Sequence, residues 1–389
     1  MNKKETDKDK EIRDEGFYWY WLNNIPRIGN QKIHSLLDYF NTPKNVFMSE
    51  LEDLLSVEKI NKNDAKSIYE AKYSSYIYDD YKELYNSDMH FTYPGREDYP
   101  RALLDIYDYP TSLYYYGRLP DLDKPTVSII GARDCTDYGR RIAYEFGKIF
   151  ASMGIQVISG MALGIDYYGQ KGAMDNKGYS LGVLGCGVDI CYPRSNIEIY
   201  MDLKRRGGII SEYKPQTPAI AGNFPMRNRI ISGLSDALVV VEARKKSGTK
   251  ITVDCALEQG KDVFVVPGRI GDPLSIGCLE ILSEGANLIL KADDIYRSHA
   301  ISSKKIKLDS KNPQISKQKE QFRHNSINSP IARQKNMVYS ELDLYPCSLD
   351  DLVRKTGLPL SNVVENLLEL ELEGLIEETS KNCYVRVQI

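Results

Sequence analysis

Six short apolar runs recur between Thr126 and Val266, separated by longer stretches of mixed polarity. The runs are Thr126–Ile130, Ile155–Ser159, Ser180–Leu184, Gly208–Ser211, Ala237–Val241 and Val263–Val266. Between them, residues 138–153, 165–177, 196–206, 224–234 and 248–259 read as helices. Short β-branched strands joined by helices of ten or more residues imply parallel pairing with right-handed crossovers. The fold class predicted is therefore α/β, an open and mostly parallel sheet. Such sheets bind ligands beyond the carboxyl ends of their strands, and the Gly-rich turns of this chain all fall there.

The flanks follow other patterns. Residues 1–16 are charged throughout and read as a disordered tail. Over 17–90, Trp19, Leu22, Ile25, Ile33, Leu36, Leu37, Phe40, Leu51, Leu54, Leu55 and Ile68 recur at helical spacing and predict a small helical domain. Its Asn24–Asn30 segment faintly resembles a helix-hairpin-helix turn but reads more simply as a helix–helix connection. Residues 91–118 hold three Tyr-Pro pairs and predict an extended lead-in to the core, which runs to 298. Over 299–336 periodicity fades, and 301–336 carry nine Lys/Arg against two acids, the pattern of a basic flexible linker. Residues 337–389 read as three helices (Val338–Leu344, Ser348–Thr356, Ser361–Glu373) and a β-wing at Tyr384–Val387, a winged helix-turn-helix. Ser348 and Ser361 are the expected N-caps.

Composition narrows the chemistry. With 389 residues, two or three domains are expected. A net charge of -3 means that any polyanion must be met by locally concentrated basic groups. No apolar run suits a membrane span and the N-terminus is no signal peptide, so a cytoplasmic protein is expected. The seven cysteines form no CxxC pair and read as reduced core thiols. All four histidines lie outside the α/β core, which argues against a zinc site or a His-based triad there.

The segment Gly222–Gly268 is the richest in candidate chemistry. Arg227-Asn228-Arg229 precede a strand that ends near Glu242, and Ser247-Gly248-Thr249 then open a helix. Helix N-termini entered through such turns attract phosphate, and guanidinium groups add forked hydrogen bonds to it. Arg133, in Gly131-Ala132-Arg133, stands at another strand's carboxyl edge. The loop Ser159-Gly160-Met161-Ala162-Leu163-Gly164-Ile165-Asp166 reads equally as a ligand cradle or as a tight turn in which Asp166 caps a helix. Neither a G-x-G-x-x-G fingerprint nor a P-loop is present. In the winged domain, SNVVENLLELELEG carries Glu365, Glu369, Glu371 and Glu373 but no Lys or Arg. A duplex reader needs basic anchors, so this domain reads as a protein-contact or intramolecular module.

These motifs in this order resemble the DNA-processing protein A (DprA/Smf) family. The resemblance runs through Ile130–Arg133, Tyr138-Gly139, Ser159–Ala162, Gly164–Asp166, Gly187, Tyr192-Pro193, Ser211-Glu212, Asn223–Ile231, Val241–Ala243, Ser247–Thr249 and Pro267-Gly268. It implies an extended Rossmann-like core, an N-terminal helical domain of SAM or helix-hairpin-helix type, and a C-terminal winged-helix domain. It further implies single-stranded DNA binding, a homodimer, and loading of RecA recombinase during natural transformation, with no enzymatic activity, cofactor or membrane. On this reading Arg133, Arg227 and Arg229 neutralise phosphates. Ser159, Gly160, Gly164 and Asp166, with Ser247, Gly248, Thr249 and Lys250, frame the cradle, and Asn223 and Asn228 orient the strand. Phe224 either stacks on a base or supports the loop, support being the preferred reading. Two departures stand out: Gly169-Gln170 replace the family's Ala-His, and Lys250 replaces an apolar residue. The rival expectation is an enzyme like the nucleoside-monophosphate phosphoribohydrolases of the same superfamily. The chain lacks their PGG-x-GT-x-x-E turn, and Glu242 is expected to pin Arg227, Arg229 or a helix N-terminus.

Overall fold

The computed structural model describes residues 14–311, 330–343, 346–372 and 375–386. Most of the expected tail, residues 1–13, lies outside the described residues, as does the middle of the expected linker. The chain divides into two compact units, Met1–Cys135 with Ala143–Lys305, and Thr136–Ile142 with Ile306–Ile389.

The first unit opens with helices α1 (Glu15–Asn23), α2 (Asn30–Phe40), α3 (Pro43–Met48), α4 (Leu51–Leu55), α5 (Lys62–Ala71) and α6 (Ser75–Tyr85). Helix α1 starts inside the expected tail because the Asp14 side chain accepts the Phe17 amide at 2.8 Å, an N-cap. It buries every residue from Gly16 to Leu22, so its aromatic run is packed all round rather than on one stripe. The Asn24–Gly29 turn then leads to the uncapped start of α2.

Next come β1 (His90–Thr92), β2 (Leu113–Gly117), β3 (Thr126–Ile130), α7 (Asp137–Ser152), β4 (Gln156–Ser159), α8 (Ile165–Asp175), β5 (Ser180–Val183), α9 (Ile197–Arg206), β6 (Gly208–Ser211), α10 (Asn223–Gly233), β7 (Ala237–Val240), α11 (Gly248–Glu258), β8 (Asp262–Val265), α12 (Ile276–Ser283) and β9 (Asn287–Leu288). Among the described residues they build a nine-stranded sheet in the order β1-β2-β6-β5-β4-β3-β7-β8-β9. From β6 to β9 all neighbours are parallel, whereas β1–β2 and β2–β6 are antiparallel. The tyrosine-rich lead-in is thus more than packing: its β2 extends the sheet, and its β1 forms one edge. Strands β3, β4, β5, β6 and β7 are buried at every position, as sheets covered on both faces require.

From β3 the chain winds outward to β6, then returns to place β7 against the other side of β3. The β3/β7 boundary is therefore a topological switch point, where loops diverge and leave a crevice. After β9, helix α13 (His299–Lys311) occupies the start of the expected flexible linker, which corrects that expectation. Ile301 is fully buried, and Lys304 Nζ lies 2.8 Å from both oxygens of Asp236. An anchored lysine and a buried isoleucine suffice to hold this turn of helix despite the polar composition.

The second unit contains α14 (Pro330–Glu341), β10 (Cys347–Ser348), α15 (Leu349–Thr356), α16 (Leu360–Leu372), β11 (Ile376–Ser380) and β12 (Cys383–Arg386). Its strands form an antiparallel sheet in the order β10-β12-β11. Val338, Leu342, Leu352, Val363, Leu367, Leu370 and Ile376 make its core. Ser348 caps α15 by accepting the Asp351 amide at 3.2 Å. Ser361 does not play the matching role, because α16 already begins at Leu360. Among the described residues no helix is long and apolar enough to cross a membrane.

Candidate nucleic-acid interface

A cleft of about 700 Å³ opens at the switch point. The loop after β3 contributes Gly131 to Asp134, α10 contributes Phe224, Arg227 and Asn228, and the segment after β7 contributes Arg244 and Ser247 to Thr249. Asp166 and Tyr192 also line it. Residues almost a hundred positions apart thus meet because β3 and β7 are neighbours.

The β3 loop takes its shape from glycine. Gly164, at the start of α8, has φ +74°, and a Cβ there would lie 2.3 Å from the Ala132 carbonyl oxygen and 2.5 Å from that of Arg133. Only a residue without a side chain lets the two loops touch this closely. Arg133 is exposed at the rim, with its guanidinium carbon 5.6 Å from the Phe224 ring centre. Arg227 approaches the same ring at 5.9 Å, and Tyr192 lies beside it at 5.4 Å and 32°. Phe224 is half-buried, wedged among two guanidiniums and a phenol.

Arg227 is only 4% exposed. It donates to the carbonyls of Gly160, at 2.9 Å, and Val183. Gly160 makes room for it: a Cβ there would sit 2.6 Å from the guanidinium. Asp166, also buried, accepts the Gly160 amide at 3.0 Å and supplies the neighbouring negative charge. Burial pushes the Asp166 carboxyl up from its usual range, against the opposing pull of Arg227 and the Gly160 amide. Burial likewise lowers Arg227 to about 10; Asp166 opposes this and Arg133 adds to it. Arg227 stays protonated at neutral pH. It is a charge set in the cleft floor, half compensated from below, rather than a free surface cation.

The third wall is the N-terminus of α11. Ser247 stands at the N-cap position with extended backbone, yet its side chain makes no capping bond. Its Oγ is buried and has no hydrogen-bond partner. The first-turn amides of a helix have no intrahelical acceptor, so this uncapped end offers amides, though not the buried hydroxyl, to a ligand in the cleft. Gly248 is open, with nothing near its missing Cβ.

Of the residues singled out from the sequence, Arg133, Asp166, Arg227, Asn228, Ser247, Gly248 and Thr249 line this cleft together. Others do not. Arg229 is turned away and 6% exposed, with Glu212 at 2.6 Å and Asp108 at 3.0 Å. Locked beneath carboxylates, it does not meet a ligand in the cleft, which corrects the role expected for it. It holds α10 to the segments around Asp108 and Glu212 instead. Ser159 is fully buried and donates to the Ile129 carbonyl at 2.6 Å. The Gly160 amide is taken by Asp166, so it is a strut, not a free donor. Asp166 sits within α8 as that strut rather than as its cap. Asn223 donates to the Gly185 carbonyl at 3.1 Å, and Lys250 pairs with Glu284 at 3.2 Å outside the cleft. The carboxylates beside the two arginines are Asp166 for Arg227, and Glu212 and Asp108 for Arg229. Gln170 is buried and donates to the Leu181 carbonyl at 3.0 Å, a structural bond from the position where the family has His.

Arg244 also lines the cleft and was not singled out from the sequence, whereas Tyr192 was named there only among the family motifs. Arg244 is exposed and only loosely paired with Asp134, at 3.6 Å. Its signal was the same as that of Arg133: a cation just beyond the carboxyl end of a central strand.

Comparison with known proteins follows the same lines. The family described as DNA recombination-mediator protein A matches residues 90–300, and the DprA winged helix domain matches 328–380. Protein Smf of Escherichia coli (strain K12) is 35% identical over 312 residues, 78% of this chain and 79% of its own length. DNA processing protein DprA of Bacillus subtilis (strain 168) is 38% identical over 201 residues, 51% of this chain and 68% of its own. The X-ray structure of DNA processing protein A from Streptococcus pneumoniae superposes with a TM-score of 0.63 at 29% identity, covering 72% of this chain and 97% of that one.

Proposed function

Because the chain belongs to the DNA recombination-mediator protein A (DprA/Smf) family, we propose that the switch-point cleft binds the backbone of single-stranded DNA without regard to sequence. The observation that carries this reading is the uncapped α11 N-terminus, at Ser247 to Thr249, lining the same cleft as Arg133, Arg227 and Arg244. Phosphate fits such a site because oriented amides and guanidiniums both bond its oxygens. A single strand suits it better than a duplex, since the half-buried Phe224 offers a ring beside the phosphate path on which an unstacked base can rest.

In this reading the protein acts by binding and not by catalysis. Glu242, the carboxylate of the phosphoribohydrolase alternative, is 6% exposed and does not line the cleft. The bound strand is protected and passed to RecA recombinase during natural transformation. A homodimer is part of the proposal, with the strip 279–290 as its contact: β9 is a sheet edge, and Leu288 and Leu290 are exposed there.

The test is binding of fluorescent oligo-dT across a salt series. With three to five phosphates neutralised, log K should fall against log salt with a slope of roughly −2 to −3.5. Arg133→Ala, at an exposed position, should reduce that slope by about 0.7 and weaken binding equally for all base compositions. An unchanged slope and affinity in Arg133→Ala would exclude the cleft as the binding site.

A further inference from the structure

The C-terminal unit displays a second apolar face that its own core does not use. In α16, Val363, Leu367 and Leu370 are buried, and they satisfy the packing of this helix. Leu360, Val364, Leu368 and Leu372 are instead 54%, 37%, 56% and 88% exposed. They recur at every fourth position, and an α-helix advances about 100° per residue, so they form a stripe winding through about 120° beside the buried one. Apolar side chains scattered singly need no explanation, whereas a contiguous stripe marks an interaction site.

Charge decides the occupant. Glu371 lies within the stripe and Glu365 borders it, both exposed. Among the described residues, Glu369 pairs with Lys335 at 3.4 Å, while Glu365 and Glu371 show no ion pair. No lysine or arginine occurs between Leu360 and Leu372. Strand β11, which follows, adds exposed Glu377 and Glu378. Duplex DNA would meet carboxylates where it needs cations. A second copy packed stripe to stripe would bring further carboxylates and no lysine or arginine from this helix to answer Glu365 and Glu371. A helix with an aliphatic stripe flanked by lysine or arginine satisfies both features at once, as flanking charges do in paired helices.

We propose that α16 of the winged unit is a docking surface for a basic amphipathic helix of a partner protein, through Leu360, Val364, Leu368 and Leu372 with Glu365 and Glu371 as its charged border. This is independent of the DNA-binding cleft. The test uses the full-length chain and a fluorescent synthetic helix of about 18 residues patterned with leucine and lysine, a length that spans the stripe. Anisotropy should report micromolar binding, and the same peptide with glutamate for lysine should not bind. Leu368→Gln and Leu372→Gln should each weaken binding about tenfold, and Glu365→Lys with Glu371→Lys should weaken it similarly. These positions are exposed, so circular dichroism should be unaltered. Binding of the basic peptide that is indifferent to Leu368→Gln would overturn the proposal. So would a wild-type self-association, seen by sedimentation, that Leu368→Gln abolishes, or duplex-oligonucleotide binding abolished by the same change.

Discussion

Replacing Arg227 with leucine should destabilise the core in a way that depends on Asp166 and on pH. The guanidinium serves the carbonyls of Gly160 and Val183 and faces the buried Asp166 carboxylate. Leucine keeps much of the volume but removes both hydrogen bonds and the counter-charge. Breaking a buried pair from one side typically costs about 3–5 kcal/mol, because the remaining charge is stranded. Against a total stability of roughly 5–15 kcal/mol for a native domain, that is a large fraction. For a domain of this size it corresponds to a fall in Tm of roughly 6–20 °C.

The pH dependence separates this account from simple loss of packing. Asp166 already has its carboxyl raised in the folded state, chiefly by burial, with Arg227 pulling the other way. Without Arg227 the rise is greater. A carboxyl raised on folding binds a proton that the unfolded chain releases, so stability increases as pH falls. Its contribution is complete below the unfolded value, near 3.9, and is lost as pH climbs through the folded value. The deficit of Arg227→Leu should therefore be largest near pH 7.5 and shrink towards pH 5, by about 1.4 kcal/mol for each unit of added shift. Adding Asp166→Asn should recover part of the stability and flatten the pH dependence. Urea unfolding followed by far-UV circular dichroism is the appropriate assay, since both tryptophans, Trp19 and Trp21, sit in α1 and report poorly on the sheet. Equal deficits at pH 5 and pH 7.5, with no recovery in the double variant, would refute the stranded-charge argument.

Two further substitutions separate structural from ligand-facing groups. Glu212→Gln removes the charge opposite Arg229 at a buried site, so unfolding free energy should drop by about 3 kcal/mol while the salt slope for oligo-dT stays at the wild-type value. Arg244→Ala should do the reverse: its guanidinium is exposed and only loosely paired, 3.6 Å from Asp134, so the urea midpoint should not fall. The salt slope for oligo-dT should nonetheless drop by about 0.7.

The central sheet was legible because buried parallel strands are written as uninterrupted apolar runs. Thr126–Ile130 and Gly208–Ser211 appear as strands with the same ends that hydropathy suggests. Strands β1 and β2 were less visible: in a segment dense with tyrosine and proline, extended conformation was readable but pairing was not. The register of β2 is set by partners in β6, nearly a hundred residues later, and β1 takes its register from β2. Helix α13 was hidden for the opposite reason, as its anchoring depends on Asp236, which local composition does not contain.

The cleft teaches a narrower point about charge. Arg227-Asn228-Arg229 looks like a block of phosphate ligands when read as a string. On a helix, residues two apart point about 200° from each other, so they do not share a face. Once α10 was assigned, Arg227 and Arg229 had to diverge, and one of them had to leave the site. Arg227 went into the cleft floor over Asp166, and Arg229 went to Glu212 and Asp108. The helical period in the sequence already contained that separation. It did not contain which arginine would face the cleft, because that depends on the crossing of α10 over the sheet and on Gly160, whose missing side chain admits the guanidinium. Arg133 and Arg244 escape the ambiguity, since a loop residue just past a central strand's carboxyl end lies at the crevice whatever the helices do. Loop position is therefore a better guide to cleft-facing charge in this fold than the density of basic residues.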